Sequence, residues 1–246
     1  MRQDVPMEQK AKTARQRARE EITEEILAAA RARLTSQGPG ELSLRAVARD
    51  VGMVSSAVYR YFASRDELLT ALLIEGYDSL GAAVEAADRT VADRADISGR
   101  WSVACRAIRA WSIEHPGDYA LLYGSPVPGY AAPQDTIAPA TRVIRVLIAT
   151  VIDAHRTGAA RIPSAPPSAP PGMESTVAAA MEFVTSSDDG VALSDAEIAM
   201  RTIMAWTTIF GTISFELFGH LVGSVSDYEA YFDQMIARVG HDLGIL

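Results

Sequence analysis

The 246-residue chain predicts an all-α protein, a small three-helix head over residues 16–66 followed by a larger helical body over 67–246, on three observations. Apolar residues recur at helical spacing in nearly every segment, as at Ile22, Ile26, Ala30 and Leu34 or Leu44, Val47, Ala48 and Val51. Three Ser-x-x-Glu capping boxes, opening at Ser64, Ser194 and Ser226, mark helix starts. Charge divides at the same place: residues 1–66 carry 12 Lys and Arg against 9 Asp and Glu, net +3, whereas residues 67–246 carry 11 against 22, net −11.

Residues 1–15 are polar, contain Pro6 and lack an apolar period, so they predict a disordered basic arm with Lys10, Lys12 and Arg15. A first helix follows from about Arg17 to Gln37 and is broken by Gly38-Pro39-Gly40. A second begins after Ser43, a good N-cap, and stops at Gly52, where a left-handed residue is wanted. From Ser55 to Tyr61 a very short third helix turns Val58 and Phe62 to one side and Ser55, Ser56, Tyr59 and Arg60 to the other. Ser64 then caps a long helix through Leu68, Leu69, Leu72 and Leu73 to about Ala87, in which Gly76 and Gly81 predict a bend.

Two short helices about a glycine turn, with exposed small polar, aromatic and Arg side chains on the second, form the arrangement that lays a helix in the DNA major groove. Those side chains suit base edges and phosphates. The run GMVSSAVYRYFASRDEL, Gly52 to Leu68, resembles the signature of the TetR family of transcriptional regulators, and the likeness extends from Ile22 to Leu73. Val54 stands where the family commonly opens this helix with Ser or Thr, which leaves Ser55 as the expected cap. The candidate DNA-binding residues are Ser43, Arg45, Ser55, Ser56, Tyr59, Arg60, Tyr61 and Arg65, with Arg45 and Arg60 for base or phosphate contact and Ser43, Tyr59 and Arg65 for the backbone.

In the body, a helix from Ser98 to His115 carries Trp101, Ile108 and Trp111 and ends at Pro116. A short helix to Gly124 and a Pro- and Gly-rich loop follow, and residues 111–130 resemble a regulatory-domain subgroup of the same family. Helical period returns from Thr136 to Arg156. Residues 158–174 read as an extended linker loop, Ser175 to Thr185 as a helix, and residues 186–190 as a polar break. The Ser194 box opens a long apolar helix to about Leu221, and the Ser226 box a last helix through Phe232 and Val239. Trp206, Phe210 and Gly211 resemble a Trp-His-Gly pattern of some regulatory domains, with Phe210 in place of the His.

Cys105, the single cysteine, excludes an intramolecular disulfide and a cysteine metal cluster. The charged N-terminus lacks a signal peptide's apolar segment, and Thr202 to Phe215 is too short and polar to span a bilayer, so a soluble cytoplasmic protein without membrane association is expected. The four histidines have no metal-ligand spacing, and no phosphate loop or nucleophile turn is present, so no cofactor, metal or catalytic residue is expected. Trp111, Tyr123 and Trp206 are the candidates for an effector pocket between helices. The resemblance implies a homodimer on a palindromic double-stranded operator, repressing until a small-molecule effector releases it. Two other readings stay open: a helical small-molecule-binding module without DNA readout, and an enzyme using the C-terminal pocket.

Overall fold

The computed structural model describes residues 13–161, 172–185 and 196–246. The expected arm up to residue 12, most of the 158–174 linker, the 186–190 break, and Ser194 and Asp195 of the second capping box lie outside the described residues. Within them the chain is helical: α1 (Ala14–Gln37), α2 (Leu44–Asp50), α3 (Ser55–Val58), α4 (Arg65–Thr90), α5 (Ile97–Glu114), α6 (Pro116–Tyr123), α7 (Ile137–Arg156), α8 (Met173–Thr185), α9 (Ala196–Leu217) and α10 (Tyr228–Asp242).

α1 starts three residues before the expected Arg17. Thr13 and Gln16 form a capping box there, with the Gln16 N–H on the Thr13 hydroxyl at 3.2 Å and the Thr13 N–H on the Gln16 side chain at 2.8 Å. The α2 turn is a Schellman closure: Gly52, at φ +66°, donates to Arg49 O, and Met53 donates to Ala48 O. The two caps described further on differ from expectation in detail. The Ser64 hydroxyl accepts from the Glu67 N–H, but the Glu67 carboxylate takes the N–H of Ala63 rather than that of Ser64. At α10 the cap is Asp227, which accepts from the Ala230 N–H, and not Ser226.

The head core gathers Ile26, Leu34, Val47, Val58 and Phe62 with Leu68, Leu69, Leu72 and Leu73. Its closing wall is thus the first turns of α4, so the head's packing runs past the expected limit at residue 66. α4 continues as one helix to Thr90, and both glycines serve close packing. A Cβ on Gly81 would lie 2.8 Å from Arg142 Cβ of α7, and one on Gly76 would lie 3.3 Å from Leu122. Arg142 straddles this seam, gripping Asp78 and Glu85 one helical turn to either side of Gly81.

The body core surrounds Trp101, Ile108, Tyr119, Leu147, Ile209 and Phe232. Buried polar groups are paired across it. The Trp101 indole donates to Ile236 O at 2.9 Å, the Tyr119 hydroxyl donates to Phe210 O at 2.8 Å, and buried Arg100 links Asp88 to Asp153. Cys105 is fully buried, and burial pushes its thiol up, away from the reactive thiolate. α9 is apolar and long enough to cross a membrane by length and composition, yet one side of it is core and it carries Arg201, paired with Glu197 and Asp242.

α6 joins the two parts. Leu121 is buried in the head core, Gly117 lies against the backbone of Thr35 at the end of α1, and Arg31 of α1 reaches both Glu75 and Asp118. The Thr70 and Tyr130 hydroxyls, 2.9 Å apart, add a bond from the loop after α6.

Candidate nucleic-acid interface and effector pocket

α3 has four residues, too few to be stable alone, and its position is set by what lies behind it. Val58 and Phe62 are buried in the head core, and Tyr59, Arg60, Tyr61 and Phe62 extend the helix as hydrogen-bonded turns. Val54, not Ser55, is the N-cap residue, and Ser55 is the first helical residue. Exposed along this edge are Ser56, Tyr59 and Arg60, with Ser55 half-buried beside them. Arg45 and Arg49 are exposed on α2, and Ser43 at its start is half-buried with a hydroxyl that makes no cap bond. Arg45, Arg49 and Arg60 form no ion pair among the described residues, so their charges are available to an anionic partner.

Two expected contact residues are placed as braces instead. Arg65 donates from Nε to Leu42 O at 2.8 Å and from Nη2 to Pro39 O and Gly40 O, tying the start of α4 to the loop before α2. Three of its five guanidinium N–H donors are thus spent on carbonyls, and the two of Nη1 remain. Tyr61 packs on the head core under Arg19, whose guanidinium sits 5.1 Å from its ring centre and donates to Arg60 O. Arg19 and the bidentate Arg33–Asp50 pair are head-stiffening contacts that helical periodicity does not reveal, because their partners are distant in sequence. Val54 is the addition to the surface set: an apolar side chain 70% exposed at the head of α3, legible in the sequence as its departure from a polar cap.

A cavity of about 240 Å³ lies between α7, α8 and α9. Its wall is Ile144 and Ile148 of α7, Phe183 of α8, and Ile203 and Trp206 of α9, with Thr141 and Thr202 as its hydroxyl residues. Both hydroxyls donate back to their own helices, Thr141 to Ala138 O and Thr202 to Ile198 O, so neither offers a free proton to a guest. Of the three expected effector residues, Trp206 lines this cavity. Trp111 is instead buried in the core, stacked on His115 at 4.8 Å, with its indole donating to Ser79 Oγ. Tyr123 packs among Phe210, Tyr119 and Tyr77, with ring centres 4.3, 5.3 and 6.0 Å away, and burial pushes its hydroxyl up. Both are large aromatics on core-facing positions, which is the commoner use of such residues.

The chain matches two family models, one described as bacterial regulatory proteins of the tetR family over residues 26–72, the other as a tetracyclin repressor-like C-terminal domain over residues 101–239. It is 42% identical over 212 residues to the HTH-type transcriptional regulators Rv1816 of Mycobacterium tuberculosis and Mb1846 of Mycobacterium bovis, covering 83% of this chain and 84% of each relative. Among solved structures, the protein SCO4313 superposes with a TM-score of 0.67 at 29% identity, covering 92% of this chain and 98% of that one.

Proposed function

Because the chain belongs to the TetR family of DNA-binding transcriptional regulators, we propose that it is a cytoplasmic repressor that holds a palindromic operator as a homodimer and releases it when a small effector binds the body. The observation that carries the reading is the division of labour among the head's arginines. Arg19, Arg33 and Arg65 are taken up in bracing, whereas Arg45, Arg49 and Arg60 stay exposed around α3 and form no ion pair among the described residues. Arg45 and Arg60 then take phosphates or guanine edges, Ser55, Ser56 and Tyr59 make short polar contacts, and Val54 meets a thymine methyl. The acidic body, net −11 over residues 67–246, is repelled by DNA and keeps the head foremost.

Dimerisation rests on the outer faces of α9 and α10 and the turn after α9, where Met204, Phe215, Phe218 and Tyr231 are exposed apolar residues that a second copy would cover. Two heads about 34–36 Å apart read half-sites one DNA turn apart. The effector occupies the α7–α8–α9 cavity, and whatever factor it takes from DNA affinity, DNA takes from effector affinity.

Selection of bound DNA from a random pool at near-physiological salt tests the reading, with Arg60→Ala in parallel. An inverted repeat, recovered by the wild type and weakened or relaxed by Arg60→Ala, is the expected result. Binding that is indifferent to sequence and collapses with salt would overturn it.

A further inference from the structure

Resting on the effector reading of the same cavity, we propose that its ligand is a small amphipathic carboxylate, with an apolar body between α7, α8 and α9 and an anionic end held at the rim by Arg145. The size comes from the volume. A cavity of roughly 150 Å³ holds benzene, and drug-sized sites start at about 300 Å³; at about 240 Å³ this one suits a single ring with a short chain. The apolar body comes from the wall, where Ile144, Ile148, Phe183 and Ile203 offer no polar group and the two threonine protons are already bound to backbone carbonyls, which leaves the Trp206 indole N–H as the one side-chain donor among the lining residues. A polar group buried there would meet at most that single N–H.

The charge comes from Arg145. Its guanidinium carbon lies 5.7 Å from the ring centre of Phe183, a wall residue of the cavity. It is exposed and forms no ion pair or hydrogen bond among the described residues. Three residues earlier, Arg142 is held by two carboxylates, whereas Arg145 meets none among the described residues. A guanidinium presents two parallel N–H donors that match a carboxylate. With one unpaired cation at the rim, a singly charged head is matched, whereas a dianionic phosphate would be half-compensated.

The test is titration calorimetry with 4-phenylbutanoate, its primary amide and the corresponding alcohol, on the full chain and on Arg145→Gln. Arg145 is exposed, so the variant is expected to melt as the wild type does. The acid is expected to bind the wild type about tenfold or more tighter than the amide, as a charge-assisted contact would give. Arg145→Gln is expected to bring that ratio close to one while leaving the amide's affinity nearly unchanged. Equal affinity of acid and neutral forms for the wild type would overturn the carboxylate inference and leave the cavity reading standing. So would an acid preference that survives Arg145→Gln. Failure of all three probes to bind at millimolar concentration would overturn both.

Discussion

The head and the outer wall of the effector cavity are built in opposite ways. Around α3, a dozen buried side chains from α1, α2, α4 and α6 converge on one core, and Arg19, Arg33 and Arg65 lace its periphery. α8, which carries Phe183 into the cavity, is held mainly by a satellite cluster in which Val177 meets Ala196 and Ala199, with Phe183 at the edge of the main body core. A DNA-reading helix needs one geometry, because base contacts fail with small displacements. A cavity wall that must admit a guest does better with few apolar contacts to open, since regions of low contact density sit at the low end of local stability.

The contrast breaks most readily at its cores. Leu69→Ala, at a fully buried head position, is expected to cost about 2–5 kcal/mol in a urea melt. Val177→Ala in the satellite cluster should cost roughly 1 kcal/mol, and its main effect should be on ligand affinity. Equal losses would mean that α8 is as firmly built in as the head. Next in size, Arg60→Ala should weaken operator binding by about 1–3 kcal/mol with an unchanged melting temperature. Arg65→Ala should lower the melting temperature, since three carbonyls lose their donor, and weaken DNA binding only through the loosened head. If the two variants behave alike, the separation of readers from braces fails.

A smaller comparison is internal to the head. Ser64→Ala should cost about 1 kcal/mol, because its hydroxyl caps α4. Ser43→Ala should be close to neutral for stability, because its hydroxyl caps nothing.

The smallest expected effect is at the joint of the two parts. Asp118 is buried with Oδ1 lacking a hydrogen bond, and burial pushes its carboxyl above the ordinary 3.8, against the pull of Arg31. The folded state therefore holds this proton more tightly than the unfolded chain does. Asp118 favours folding at acid pH, and that contribution is lost as pH rises from about 3.8 through the raised folded value. Asp118→Asn should flatten that decline in melts across acid to neutral pH. An unaltered profile would mean that the ionised carboxylate is fully compensated by Arg31.

The helix starts and stops were legible in the sequence where the signal is local. Gly52 is in the left-handed turn that its position demanded, Ser64 caps α4, and Pro116 opens a new helix. The exposed set Ser56, Tyr59 and Arg60 followed from which face Val58 and Phe62 must bury. Helical period says which face is buried, but not against what. That is why the roles of Tyr61 and Arg65, next to these residues and of similar chemistry, depended on where Arg19 and the carbonyls of residues 39, 40 and 42 came into place. It is also why periodicity did not show that Gly76 and Gly81 make room for Leu122 and Arg142.

By itself, then, the sequence determined the helical class, the head and most helix limits of this protein, because capping, turn and periodicity energies act within a few residues of the chain. The tertiary structure alone decided which arginines are free and which aromatics face a cavity. Those depend on partners tens of residues away, such as Arg145 with Phe183 and Trp111 with Ser79, whose meeting is a result of packing.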